Sequence, residues 1–432
     1  YWHAKKTVRA GDGMFEKSAC LICKRGIHMD RAKHILLNSK KYENDIKNWR
    51  HIIHRYPEIG FDLPRTQKLV TDVLRELGYT VQAGFAKSAV LGELDTGKPG
   101  KVIAIRADMD ALSMKEESGV PFSSEIENAF HACGHDAHTA ILLGVAKYLS
   151  ENKDELPGGR IKLVFQPAEE GPAPGGAKLI MESGVLDDVD AMIGAHSQPL
   201  YKAGQIGCKY GDAFASGDFF EVRLKGTGTH AASPHKGNDI IITAMEIINA
   251  LQNIRSRELP PLKSAVISVC SINAGSLPVK NVLSDECTFG GTFRAYNDEH
   301  RSYIARRIGE IVEHIASMNG VTAEYTDSFN YPYFRNDDDV IDIVFHSAQE
   351  VLGNDNVIKK EDPEMGSEDF AWYTKKLKAA FFFIGIRNEE KECIYSLHNP
   401  KFRIDEDAFV PALAVFINSI YRLMEDERIH GK

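Results

Sequence analysis

An α/β fold in two domains is predicted for this chain of 432 residues: a larger domain on a central sheet, with a smaller ferredoxin-like βαββαβ unit inserted into it. Three observations carry that prediction. The length exceeds what one hydrophobic core usually supports. Short apolar runs alternate with helical stretches in both outer parts of the chain, as strands do when helices cover both faces of a sheet. The middle of the chain instead alternates apolar and polar residues, the pattern of strands with one wet face.

Residues 1–28 are basic, lack an apolar h-region and are expected to be an extension or tag. Cys20 and Cys23 form a lone CxxC there, read as an incidental pair because no second ligand pair lies nearby. From Met29 to Gly78 the spacing is helical, with Ile46, Trp49, Ile52 and Ile53 on one helix and a second helix over 66–77 that Gly78 ends. Strands buried on both faces are expected at 102–107, 161–166, 191–195 and 379–385, and helices at 139–152 and 367–377. In the middle, Phe220, Val222 and Leu224 alternate with Glu221, Arg223 and Lys225. A helix over 239–257 follows, then strands at 264–272 and 287–296, a helix at 299–319 and a strand at 322–326, which completes the split βαβ order. The insertion is therefore placed at 214–328, and the larger domain at 29–213 and 329–432. Ile240, Ile247 and Leu251 share a helix face with Thr243 and are expected to pack on their own sheet.

Composition narrows the class of partner. A net charge of -9 argues against nucleic acid, whose phosphates need clustered, unmatched Lys and Arg. No run of eighteen apolar residues predicts a membrane span. Seven cysteines in a long chain are too sparse for a secreted disulfide framework, and a reducing cytoplasm is expected. A small molecule is the expected partner.

Three of the predicted strands end in chemistry-bearing residues, where open α/β sheets place their sites. They supply Arg106-Ala107-Asp108-Met109-Asp110, Gln166-Pro167-Ala168-Glu169-Glu170-Gly171 and Gly194-Ala195-His196, with His131-Ala132-Cys133-Gly134-His135-Asp136-Ala137-His138 between the first two. Singly these residue types are weak signals: a histidine is more often hydrogen-bonded filler and a cysteine a small apolar one. Glu169-Glu170 weighs more, because no amphipathic helix is expected between Pro167 and Gly171, and adjacent like charges are costly without a cation. A thiolate, imidazoles and carboxylates together suit zinc or another borderline first-row ion, and manganese as well.

The HxCGHDxH, PAEEG and GAH segments, with Met365-Gly366-Ser367-Glu368-Asp369-Phe370 and Leu397-His398-Asn399-Pro400, resemble the metallopeptidases of peptidase family M20. The resemblance is nearest to the amidohydrolase subfamily, with its hippurate hydrolases, N-acyl-amino-acid and auxin-conjugate amidohydrolases and N-acetyldiaminopimelate deacetylases. It runs from about Trp49, through His54-Arg55-Tyr56-Pro57-Glu58, to about Tyr421, with the motifs in family order.

It implies a mixed central sheet, an insertion serving as lid and dimerisation domain, and a centre of two divalent ions (Mn2+ or Zn2+, with Co2+ or Ni2+ as alternatives). By motif, Cys133, His135, Glu170, His196 and His398 would be the ligands, Glu169 the general base, and Asp110 the residue that orients a ligand. His138 would open the following helix without binding metal, and His131 would be structural. In Lys225-Gly226-Thr227-Gly228-Thr229-His230, His230 would reach a neighbouring subunit's site and donate to the oxyanion, although Thr229 stands where glycine is common. Asn281 and Arg294 would hold the substrate carboxylate. The implied activity is metal-dependent hydrolysis of the amide bond of N-acyl-L-amino acids by a homodimer. A dipeptidase or carboxypeptidase is the rival reading, and a non-catalytic binding protein on the same fold a lesser one. Phe329, Tyr331, Tyr333 and Phe334 are read either as an aromatic acyl pocket or as hinge packing.

Overall fold

A computed structural model of the chain describes residues 28–430; the CxxC at Cys20 and Cys23 lies outside the described residues. The first helices are α1 (residues 28–39), α2 (Glu43–Arg55) and α3 (Pro64–Glu76). α3 begins two residues before the expected start because Pro64 occupies its first turn, where a missing N–H costs nothing. Next come β1 (Thr80–Phe85), β2 (Ala89–Asp95), β3 (Val102–Asp108), α4 (His135–Glu151), β4 (Arg160–Gln166), α5 (Gly176–Glu182), β5 (Ala191–Lys202), β6 (Ile206–Lys209) and β7 (Gly211–Phe214). The insertion contains β8 (Gly217–Lys225), β9 (Thr229–His230), α6 (Ile240–Asn253), β10 (Ala265–Ala274), β11 (Val282–Leu283), β12 (Glu286–Ala295), α7 (Asp298–Met318) and β13 (Thr322–Tyr331). The chain then returns through β14 (Phe334–Asn336), α8 (Asp338–Leu352), β15 (Val357–Lys360), α9 (Ala371–Thr374), β16 (Ala379–Arg387) and α10 (Phe409–Glu425).

The larger sheet is mixed, in the order β1-β2-β4-β3-β5-β16-β6-β15. Its centre, β4-β3-β5-β16, is parallel, and β2 and β6 run against it on either side. β3 shows why these strands read as continuous apolar runs. Ile103, Ile105 and Ala107 face a core shared with α2, α4, α8 and α10, whereas Val102 and Ala104 face a second core shared with α5 and α9. Burying both faces removes the period-two signal and leaves a mostly apolar run, broken in β3 by Arg106 and Asp108. α4 is likewise buried nearly all round, and its Gly144 allows α2 to approach, since a Cβ there would sit 2.6 Å from Ile46 Cδ1. Among the described residues, the segment Glu406–Glu425 around α10 is long and apolar enough to cross a membrane, but 83% of it is buried inside the protein. It is a core helix by packing.

The insertion forms a four-stranded antiparallel sheet, β10-β12-β8-β13, with α6 and α7 on one face and a core of its own. Ile240, Thr243, Ile247 and Leu251 are buried in or beside that core, as their spacing predicts. Asp239 and Asn297 cap α6 and α7 by accepting backbone N–H groups. The fold is the two-domain α/β class expected. One element differs: of the helix expected at 367–377 only α9 forms, because residues 365–370 are a loop whose carboxylates turn inward to pair with a buried arginine.

Candidate metal centre and cleft

The centre lies at the C-terminal end of the parallel strands. β3 ends at Asp108, the loop after β4 carries Glu169 and Glu170, and His196 sits in β5 opposite Phe383 of β16. Gly134, at φ +87°, turns the chain into α4 so that Cys133 and His135 point the same way. His398 comes from a loop 265 residues beyond Cys133, at φ +60°, with its N–H donating to the Ala132 carbonyl.

These groups converge. Cys133 Sγ lies 3.3 Å from His196 Nε2 and 3.3 Å from His398 Nε2, and His398 Nε2 lies 3.0 Å from Glu170 Oε1. Donor atoms of Cys133, His135 and His196 lie within 4.8 Å of one another, as do those of Cys133, Glu170 and His398, and of His135, Glu169 and Glu170. Cys133 thus belongs to two donor triads. Asp110 stands beside them: its carboxylate accepts the backbone N–H groups of Glu169 and Glu170, each at 3.0 Å, while its carbonyl lies 2.9 Å from His135 Nδ1. Asp110 therefore aims a ring nitrogen and fixes the two-glutamate loop together.

Charge tests whether the donor set fits cations. Asp108, Asp110, Glu169, Glu368 and Asp369 are buried with Glu170 at their edge, and Arg106 is the buried guanidinium among them. Burial and the crowding of like charges raise Asp110, Glu169, Glu368 and Asp369 toward their neutral forms, a cost that bound divalent ions would relieve. His135 Nε2 and Glu170 Oε1 are buried without a hydrogen bond, the second near His398 but not aligned for one. Such unpartnered buried donor atoms, facing a thiol and two more imidazoles, fit divalent ions.

The adjacent glutamates are driven in opposite directions. Burial, then the carboxylates of Glu368 and Glu170, push Glu169 well above the usual carboxylate range. Burial also opposes ionisation of Glu170, but His398 and His135 outweigh it and hold that carboxyl below its usual value. For His135, burial lowers the pKa, yet Asp108 and Asp110 lift it to about 10; burial and His138 take His196 down to about 3, leaving a neutral ring with a free lone pair. Burial, reinforced by Glu170, raises Cys133.

The remaining expected residues are less uniform. His138 lies inside the first turn of α4, its Nδ1 2.6 Å from Asp108 Oδ1 and its Nε2 2.9 Å from Ser197 Oγ. His131 is buried behind the centre, and neither ring nitrogen has a hydrogen-bond partner. Arg294 lines the cleft, with Nη1 donating to the Met365 carbonyl at 3.0 Å and no carboxylate pairing with it among the described residues. Asn281 and His230 lie exposed, beside and within the two-stranded β9-β11 ribbon, outside this chain's cleft. Of the four aromatics singled out, only Tyr331 lines the cleft. Phe334 is buried beneath Phe214, Phe370 and Phe381, Phe329 covers Arg301, and Tyr333 lies under Lys375.

The cleft, about 820 Å³ between the two sheets, has apolar walls made by Phe214, Phe219, Phe383, Leu200 and Leu397. Sequence reading passed over these, and also the Arg106 hub, which donates to Gln166, Asp108, Glu368 and Asp369 at 2.7–3.0 Å. A signal for the hub existed: a charged residue inside an apolar strand has to be paired.

Residues 104–422 match the family described as Peptidase family M20/M25/M40. The chain is 37% identical to Thermostable carboxypeptidase 1 of Saccharolobus solfataricus (strain ATCC 35092 / DSM 1617 / JCM 11322 / P2), over 85% of this chain and 94% of that protein. It is 36% identical to Hippurate hydrolase of Campylobacter jejuni subsp. jejuni, over 87% and 95% respectively. The solved structure of Bacillus subtilis YXEP protein, described as a dinuclear metal binding peptidase from the M20 family, superposes with a TM-score of 0.77 at 32% identity, covering 89% of this chain and 99% of that one.

Proposed function

Because the chain belongs to the M20/M25/M40 peptidase family and is a hydrolase of amide bonds that uses divalent metal, we propose that it hydrolyses N-acyl-L-amino acids at a centre of two ions held by Cys133, His135, Glu170, His196 and His398. One observation carries the reading: two donor triads share Cys133, beside a glutamate that neither triad contains.

Held by the two donor triads that share Cys133, divalent ions would supply the Lewis acidity that acidifies a bound water and polarises an amide carbonyl. Glu169 takes the water's proton and returns it to the departing amine, and its buried surroundings suit it to hold a proton between those steps. Glu170, biased toward its anion, serves as a ligand. Asp110 keeps both glutamates and His135 in register. Arg294, unmatched by any carboxylate among the described residues, grips the substrate carboxylate with its planar fork. The acyl group lies against the apolar walls, where a free ammonium would be poorly solvated.

The donor set suits Mn2+ or Zn2+, with Co2+ or Ni2+ as alternatives. The separate cores support an insertion placed near 214–328, with β13 carrying its sheet on to Tyr331. His230 and Asn281, exposed away from this chain's cleft, together with exposed Ile241, Ile242 and Met245 on α6, support a homodimer in which the insertion of one protomer completes the site of the other. The five described cysteines are all unpaired, as in a reducing cytoplasm.

A carboxypeptidase or dipeptidase activity is the second reading, favoured by one relative's name and by a cleft roomy enough for a peptide. Initial rates of amino-acid release from N-acetyl, N-benzoyl and N-carbobenzoxy amino acids, set against free dipeptides, decide between them. Higher kcat/KM on the N-blocked panel is expected, and preference for free dipeptides overturns the proposal.

A further inference from the structure

Tyr331 ends β13, opposite Gly217 at the start of β8, where the inserted sheet meets the larger domain. Its phenol is buried, and its O–H donates to the Glu169 carbonyl at 2.7 Å. The approach depends on bare backbone: a Cβ on Gly175 would lie 3.1 Å from that hydroxyl and 2.5 Å from Asp369 Oδ2. Toward the insertion, the Tyr331 carbonyl accepts from Arg301 of α7 at 3.5 Å, and Arg301 Nε donates to Asp218 of β8 at 2.7 Å. Asp218 also accepts the Asn330 N–H at 3.1 Å, and the Phe329 ring lies under the guanidinium at 4.7 Å. A continuous polar chain thus runs from helix and strand of the insertion to the peptide group of one residue in the metal-centre loop.

That residue is held at two points by different bodies. The Glu169 carbonyl accepts from Tyr331, which belongs to the inserted sheet, and the N–H of the same peptide group, that of Glu170, donates to Asp110 of the larger domain, as does the Glu169 N–H. A peptide gripped at both ends has little freedom to tilt, and the direction of the side chain follows the peptide. We infer that Tyr331 is a positioning residue, which sets the aim of the Glu169 carboxylate according to where the insertion sits. The inference rests on the reading of Glu169 as the proton acceptor. Because the hydroxyl is committed to the Glu169 carbonyl, its loss should act on kcat and spare substrate binding.

The test uses the full chain with metal restored, on whichever amide substrate turns over fastest. Tyr331→Phe should lower kcat about tenfold, the scale of one buried hydrogen bond expressed in a transition state, with KM within about twofold and metal stoichiometry unchanged. Arg301→Lys loosens the far end of the chain and should lower kcat alone, yet add nothing in the double variant with Tyr331→Phe. Unchanged kcat in Tyr331→Phe overturns the inference, as does a loss that tracks KM or metal content, or losses that multiply in the double variant. If Arg301→Lys does not fold, the split between kcat and KM in Tyr331→Phe decides. Glu169→Gln separates this from the broader reading: an active Glu169→Gln defeats both, whereas an inactive one beside a fully active Tyr331→Phe defeats only the coupling.

Discussion

Replacing Arg106 by methionine removes the one buried guanidinium that faces Asp108, Glu368 and Asp369. Arg106 and all three carboxylates are buried, and each acid oxygen lies 2.7–3.0 Å from a guanidinium nitrogen. A fourth bond, Nε to Gln166 Oε1 at 2.9 Å, ties β3 to β4. Taking roughly 1.5–3 kcal/mol for each hydrogen bond to a charged partner, the three would sum to about 5–9 kcal/mol. The acids escape part of that by taking up protons, which brings the expected loss to about 3–5 kcal/mol, the usual cost of removing one partner of a buried pair. Methionine fills most of the vacated volume, so the loss reports charge and not a cavity. Urea unfolding of metal-free wild type, Arg106→Met and Arg106→Lys at pH 7, followed by far-UV circular dichroism, measures it. Arg106→Lys keeps the charge without the fork and should lose less than Arg106→Met. A methionine variant within about 1 kcal/mol of wild type would refute the claim that this guanidinium neutralises the base of the centre.

Three further outcomes are expected. Glu169→Gln should lower kcat by about 10²–10⁴-fold, the range for a lost general base, with metal content by plasma mass spectrometry unchanged. Arg294→Ala should raise KM about 10–100-fold with kcat largely kept, because a grip on the substrate carboxylate is shared by ground and transition states; steady-state kinetics on a substrate and its amide analogue would show the difference vanish for the amide. His54 donates between Asp136 (2.7 Å) and Glu116 (3.1 Å), and although burial works against its charge, Asp136 raises its pKa above the ordinary 6.5. The folded state therefore holds that proton more tightly than the unfolded one, so the contribution is full below about pH 6.5 and is lost as pH climbs through the folded value. The stability gap between wild type and His54→Gln, measured by urea unfolding from pH 6 to 9, should narrow toward high pH, and a gap independent of pH would contradict the assignment.

Much of the architecture was legible in the residues because burial leaves different marks on the two sheets. β3, β4, β5 and β16 are mostly apolar and buried on both faces, since helices cover both, and β8 alternates because one face is wet. β1 carries no such mark: mostly exposed at the sheet edge, its Thr80–Phe85 run presents no continuous hydrophobic string. The helix expected at 367–377 failed for a tertiary reason, the demand of Arg106 for carboxylates 262 residues away. At the centre, motif spacing was enough to bring Cys133 and His398 together across 265 residues. Spacing carries nothing about Tyr331, whose partner is a backbone carbonyl. Nor does it mark the cleft walls, since Phe214, Phe219 and Phe383 belong to three separate strands and meet only in the folded protein.

Two donor triads share Cys133, and counting bound metal on wild type and Cys133→Ala tests that sharing. After chelation, dialysis against Mn2+ or Zn2+ and removal of free ion, wild type should retain about two equivalents per chain, whereas Cys133→Ala, folded by circular dichroism, should bind both ions more weakly. A variant that keeps two ions at undiminished affinity, or a wild-type chain that retains none, would contradict it.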